Sequence, residues 1–313
     1  MTTFDQTTTT DTVLTGTDLE GRRVVVTGGS TGLGEETARA LAAHGAALTI
    51  AVRDAERGKA AAGRIRESVP KADIEVRELE LGDLASVRAF AKEFLSEHAS
   101  IDVLINNAGV MGCPYATTVN GFEMQFGTNH LGHFLLSVLL TPALISGAPA
   151  RVVALSSRGH RLSDVSLDDP GFAHTEYDPW VSYGRSKTAN VLFAVGFDLR
   201  YASQGVRAFA VHPGTIHTEL GRHLTDESLE QLMNSMPSGA ENFWKTVPQG
   251  AATSVWAATA SELDGLGGLY LEDCHIAERM TASDGLEGVR DYAVDPAHAD
   301  ALWDLSERMV GLA

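Results

Sequence analysis

Apolar, β-branched runs alternate with helical patterns along most of this chain. The first run, Val24-Val25-Val26-Thr27, is stopped by Gly28-Gly29. From Gly32 the apolar positions recur at helical spacing through Ala38, Leu41 and Ala42, and Gly45 closes the pattern. A second run at residues 47–52 ends at Arg53-Asp54, ahead of an Ala-rich helical stretch to about Ser68. Further strand-like runs fall at residues 74–81, 103–105, 151–155, 206–211 and 268–271. Helical patterns fall between them at 85–97, 121–144 and 183–201. Strands alternating with helices make right-handed crossovers and a parallel sheet. The runs are apolar throughout rather than at every second position, as a sheet covered on both faces requires.

The pattern therefore predicts an α/β fold: a single doubly wound Rossmann-type domain, with a seven-stranded parallel sheet and helices on both faces. Residues 1–20 read as a flexible polar arm and residues 21–313 as the domain. Insertions fall at residues 158–182 and 219–249. Both follow strand ends, where such folds bind ligands. The second carries Leu232, Met233, Phe243 and Trp244, which suit a lid over a bulky lipophilic substrate.

Charge narrows the partners. Lys and Arg number 24 against 41 Asp and Glu, a net charge of −17. That excludes nucleic acid or an anionic membrane as the main partner, while leaving room for one phosphate-bearing cofactor in a local pocket. Two cysteines, Cys113 and Cys274, make neither a disulfide framework nor a zinc spacing. Residues 1–10 lack the basic and apolar segments of a secretory signal, and the apolar stretch 131–140 is too short to span a bilayer. A cytoplasmic protein without membrane contact is expected.

The segment Thr27-Gly28-Gly29-Ser30-Thr31-Gly32-Leu33-Gly34 joins the first strand to the first helix. Gly28 permits a tight turn, Gly32 a close approach to a pyrophosphate, and Gly34 close packing of helix on sheet. The helix start attracts phosphate through its free N–H groups and dipole. An ordinary βα loop is the alternative. At the end of the second strand, Arg53 suits a ribose 2′-phosphate by paired, charge-assisted hydrogen bonds, which favours NADP(H) over NAD(H). The competing reading leaves Arg53 in solvent and gives Asp54 the ribose hydroxyl.

Tyr183 and Lys187 lie four apart on one helix face. An ammonium beside a phenol lowers its pKa, so the pair suits proton exchange with a carbonyl or alcohol oxygen. Taken alone, the pair also describes an exposed helix face. Ser157 ends an apolar strand 26 residues earlier, where its hydroxyl could donate to a developing oxyanion or merely cap a loop. Asn107-Ala108-Gly109 ends the fourth strand, and Asn129 sits inside a helix, where Asn is unfavourable.

In this order and at these spacings, the TGxxxGxG turn, the NNAG segment, Asn129, Ser157 and the YxxxK pair resemble the short-chain dehydrogenase/reductase family over about residues 22–220. The resemblance implies roles. Tyr183 is the acid/base and Ser157 stabilises the substrate oxygen. Lys187 binds the nicotinamide ribose and lowers the Tyr183 pKa. Asn129 holds a water in a relay to Lys187. Pro213-Gly214 match the family's PG segment, with Ile216 and Thr218 beside the nicotinamide carboxamide. Glu80 and Leu81 stand where the family meets adenine, with Glu80 in place of the usual Asp and Asp83 as a competitor. Val52 stands where NAD-preferring relatives often carry an acid. The segments 108–115, 129–134 and 177–180 are similar to retinol-dehydrogenase-like members and the WW-domain oxidoreductase. Neither the membrane anchor nor the WW modules of those members is expected in this chain, so retinoid activity is not carried over. By analogy a homodimer or homotetramer is expected, paired through the helices of Asn129 and Tyr183. The expected activity is hydride transfer between nicotinamide and a small-molecule carbonyl or secondary alcohol. A non-catalytic NADP-sensing protein and a reductase of carbon–carbon double bonds are the alternatives.

Overall fold

The computed structural model describes residues 4–223, 244–280 and 287–313. Its strands are β1 Arg23–Thr27, β2 Ala47–Val52, β3 Ile74–Glu78, β4 Val103–Asn106, β5 Ala150–Leu155, β6 Val206–His212, β7 Thr215–Ile216, β8 Trp244–Lys245, β9 Leu269–Glu272 and β10 His275–Ile276. The main sheet runs β10-β9-β6-β5-β4-β1-β2-β3. Seven of these strands are parallel, as the apolar runs predict, and β10 adds an antiparallel edge strand. β7 and β8 pair with each other apart from the main sheet.

The helices are α1 Thr10–Val13, α2 Gly32–Ala43, α3 Ala55–Ser68, α4 Leu84–Glu97, α5 Met124–Phe126, α6 Gly132–Ser146, α7 Pro179–Tyr201, α8 Val247–Thr259 and α9 Pro296–Val310. One buried cluster packs α4, α6, α7 and α9 on one face of the sheet, and a second packs α2, α3 and α8 on the other. Each crossover buries an apolar stripe, which is why the central strands carry no polar alternation; edge strand β3, Ile74–Glu78, alternates apolar with charged residues. The run from Met124 to Ser146 is apolar enough to cross a membrane by length and composition, but it is 78% buried inside the fold as a core helix.

Residues 4–20 are not a loose arm. Leu14 is fully buried in the α2 and α8 cluster, Asp11 pairs with Arg39 at 2.7 Å, and the Gln249 amide donates to Thr7 O at 3.2 Å. Polar composition concealed this, because Leu14 and Leu19 supply the apolar anchoring while the polar Thr8 and Thr10 are buried beside them. Of the insertion expected at 219–249 as a lid, residues 224–243 lie outside the described residues.

The chain reverses direction across the sheet between β1 and β4, since β1 is followed by β2 and β3 on one side and β4 to β6 on the other. A crevice opens at the carboxyl ends of strands at such a switch point. A cavity of about 670 Å³ lies there.

Candidate active site

Every residue assigned from sequence to cofactor or catalysis lines that cavity except Asn129. At its floor the glycine turn is locked from β4. The Thr27 hydroxyl accepts the N–H groups of Asn107 and Ala108 at 2.9 and 3.0 Å, and the Asn107 amide donates to Thr27 O at 2.7 Å. Gly28 and Gly32 adopt φ of 68° and 57°, a left-handed backbone that glycine alone takes without strain. A Cβ on Gly34 would lie 2.4 Å from both Gly28 O and the Asn107 amide. Thr31 starts α2 without a side-chain cap, so the first N–H groups of the helix stay available for an anion. Thr218 stands over Gly32, and Ile216 packs on α8 at Gly250.

At the far end of the turn, Arg53 is 74% exposed and 3.7 Å from Glu80. Asp54 also lines the cavity, but one oxygen of its carboxylate accepts the N–H groups of Glu56 and Arg57 and caps α3. Asp83 likewise caps α4 through Ala85 N at 2.9 Å, whereas Glu80 and Leu81 line the cavity. Glu80 takes the Gly82 N–H at 2.8 Å.

Asp178 caps α7 and Pro179 opens it, which sets Tyr183 one turn inside the helix. The Tyr183 ring lies against Gly159, where a Cβ would come within 2.6 Å of its edge, and the Trp180 indole meets it edge-on with centroids 6.4 Å apart. Burial pushes the phenol up to about 12, and the neighbouring Ser157 hydroxyl pulls the other way. Lys187 Nζ donates to Leu155 O at 3.0 Å and stands 5.6 Å from the Tyr183 ring centroid, and burial lowers it to about 8. The expected lowering of the phenol pKa by Lys187 does not appear among the influences on it; burial dominates, and Tyr183 carries its proton at neutral pH.

Asn129 sits behind the cavity wall. Its amide donates to Val110 O and Ser186 Oγ at 2.9 and 3.0 Å and accepts Val110 N–H at 2.8 Å. It lies in a π-helical turn, Gly127–Leu131, where the Gly132 N–H reaches back to Gly127 O. Such turns concentrate at functional positions because they re-aim side chains. His133, given no role from sequence, links this turn to the glycine turn. Its Nδ1 bonds Asn129 O at 3.0 Å and its Nε2 bonds Thr27 Oγ1 at 2.8 Å. A carbonyl only accepts, so Nδ1 carries the proton and Nε2 accepts from Thr27. Burial, lowering its pKa to about 4, keeps that neutral form. Gly159 and Trp180 are the other residues missed. Trp180 belongs to a segment already singled out, and Gly159 lies two residues after Ser157.

Comparison with known proteins agrees with this layout. A family model described as short chain dehydrogenase matches residues 22–229. A short-chain dehydrogenase/reductase, prx1, of Penicillium roqueforti is 42% identical over 301 residues, covering 95% of this chain and 87% of that one. Human retinol dehydrogenase 14 is 40% identical over 307 residues, covering 94% and 88%. Among solved structures, the RhlG/NADP active-site complex of Pseudomonas aeruginosa superposes with a TM-score of 0.64 at 25% identity, covering 82% of this chain and 95% of that one. A Tyr–Lys–Ser constellation at the switch point of a parallel sheet, matched over two thirds of the chain, makes this protein an oxidoreductase of the short-chain dehydrogenase/reductase family.

Proposed function

We propose that the protein is an NADP(H)-dependent carbonyl reductase, reversible to alcohol oxidation, with Ser157, Tyr183 and Lys187 at the reacting centre. One observation carries the reading: the buried Tyr183 phenol, which keeps its proton, and the Ser157 hydroxyl flank Gly159 together and line the same cavity at the mouth of the sheet. Two hydroxyl donors meeting at one point suit a carbonyl oxygen rather than a carbon–carbon double bond.

The dinucleotide fits the cavity it would occupy. The uncapped start of α2 and the left-handed Gly28 and Gly32 form a cradle for the pyrophosphate. Arg53, exposed at the end of β2, is placed for a 2′-phosphate, while Asp54 spends one carboxylate oxygen on capping α3. The solved relative of Pseudomonas aeruginosa holds NADP. When bound, the nicotinamide supplies the hydride that reaches the carbonyl carbon. The proton that completes the alcohol leaves Tyr183 Oη for the carbonyl oxygen, while the Ser157 hydroxyl holds that oxygen. Lys187 has three donors and spends one on Leu155 O, which leaves others for a ribose. Asn129, bonded to Ser186 on the same helix as Lys187, steadies this face of the site and is read as the relay residue.

Met111, Leu162, Trp180 and Met280 give the cavity apolar walls for a lipophilic substrate body. The similarity to retinol dehydrogenases is one among several at like identity, so we read the subgroup only as a bias toward such bodies. A homodimer or homotetramer would need a face other than α6 and α7, because α9 covers them: Ser306 Oγ bonds His130 Nε2 at 2.8 Å and Trp303 packs on Phe134. A cytoplasmic location is proposed from the sequence alone, which carries two cysteines far apart and no disulfide framework.

Tyr183→Phe tests the reading. Turnover of a carbonyl panel with NADPH is expected to fall about 10²- to 10⁴-fold, with NADPH affinity retained by calorimetry. Undiminished turnover in this variant overturns the assignment.

A further inference from the structure

We propose that the physiological substrate carries a carboxylate, an oxo or hydroxy acid whose anionic end is held by Arg158, Arg161 and Arg290. The inference rests on the reading of Ser157 and Tyr183 as carbonyl-processing groups and deepens it to a substrate class.

All three arginines line the same cavity as Ser157 and Tyr183. They form one wall from two distant segments. Arg158 directly follows Ser157, and its backbone N–H donates to His212 Nδ1 at 3.2 Å. Arg161 closes the 3-10 turn Arg158–Arg161, and its guanidinium donates to Gly288 O at 2.9 Å. Arg290 donates its backbone N–H to His160 Nε2 at 3.2 Å, which docks it on that turn.

The wall is cationic and under-satisfied. Arg158 Nε is buried without a partner, and among the described residues the guanidinium groups of Arg158 and Arg290 make no hydrogen bond or ion pair. Buried beside this wall is Glu272, whose carboxylate accepts the Gly288 N–H; the Tyr270 hydroxyl, also buried, has no partner. Guanidinium stays charged at any physiological pH, so half-buried, unpaired guanidinium groups facing a cavity suit an arriving anion. This chain carries a net charge of −17, and still three arginines converge on one wall.

The cofactor's phosphates do not account for the wall. The phosphate cradle follows β1 and Arg53 follows β2, whereas Arg158 and Arg161 follow β5. In the sheet order β5 lies two strands from β1 and three from β2, hence about 10 and 14 Å away at the usual strand spacing. The same cavity also has an apolar lining, from Leu162, Trp180 and Met280. The ligand this describes has an apolar body, a carbonyl or hydroxyl at one point, and a carboxylate gripped in paired hydrogen bonds at another.

Matched ketones test it on the full-length protein with NADPH: benzoylpropionate, benzoylbutyrate and benzoylvalerate, each against its methyl ester. At least one acid is expected to exceed its ester in kcat/KM by about 10- to 100-fold, mainly through KM. Arg158→Gln and Arg290→Gln should each bring that ratio toward one. Esters equal to or better than acids in every pair, or a preference unchanged in both variants, overturns the inference and leaves the carbonyl reductase reading standing. If no ketone is turned over, that reading fails, and calorimetry decides the anion wall separately. Phenylbutyrate, which cannot be reduced, should bind in the presence of NADP⁺ and bind about tenfold more weakly to each variant. No binding to the unaltered protein overturns the wall.

Discussion

Single side chains in the site are set more by burial than by pairing. Tyr183 and Lys187 are shifted in opposite directions by the same cause, each losing water around its charged form. The phenol is thereby kept ready to give its proton, which is the state a reductase needs. Arg53 is the contrasting case. It is mostly exposed, and its contact with Glu80 at 3.7 Å is loose, so it is free to turn to a phosphate. Arg53→Ala is expected to raise KM for NADPH about tenfold or more while leaving KM for NADH nearly unchanged. An equal effect on both dinucleotides would return Arg53 to the role of a solvated surface charge.

At the scale of elements, the site depends on how the start of α6 is tied to the end of β1. The π-helical turn aims Asn129 at Val110 and Ser186, and His133 one turn later spans from Asn129 O to Thr27 Oγ1. Thr27 in turn holds the N–H groups of Asn107 and Ala108. A histidine that looks like a packed helix residue is thus the joint between the glycine turn and the catalytic helix face. His133→Leu removes both bonds in a buried setting, at about 1–3 kcal/mol for each group left without a partner. The urea midpoint should drop accordingly; an unchanged midpoint would mean that the two groups re-pair elsewhere. α8 and α9 show what patterning overlooks. α8 opens on a capping box between Thr246 and Gln249, and α9 on Asp295-Pro296, end signals that the apolar pattern alone did not pick out.

Across the whole molecule, buried imidazoles make stability depend on acidity. Burial lowers His130 to about 3 and His133 and His160 to about 4, and holds His212 well below its ordinary value. Below a pH of about 6.5 the unfolded chain binds protons at these positions and the native chain does not. Stability therefore falls as pH drops from about 6.5 toward 4, by up to about 1.4 kcal/mol per pH unit for each histidine. Thermal melts at pH 5 and 7 should show a clearly lower Tm at the acid value, and equal values would show that these rings are not neutral in the native state.

The α/β class, the parallel sheet, the glycine turn and the Tyr183–Lys187 spacing were all legible in the chain itself, because each is a local pattern: a run of apolar residues, a forced left-handed turn, a fixed helical repeat. Tertiary structure alone decided the rest. It placed Ser157 against a phenol 26 residues away and folded residues 4–20 onto the core. It assigned Asp54 and Asp83 to helix caps and Glu80 to the cavity. It also assembled Arg158, Arg161 and Arg290 into one wall. These outcomes turn on which buried polar groups find partners, and a partner far along the chain leaves no mark on the residues beside it.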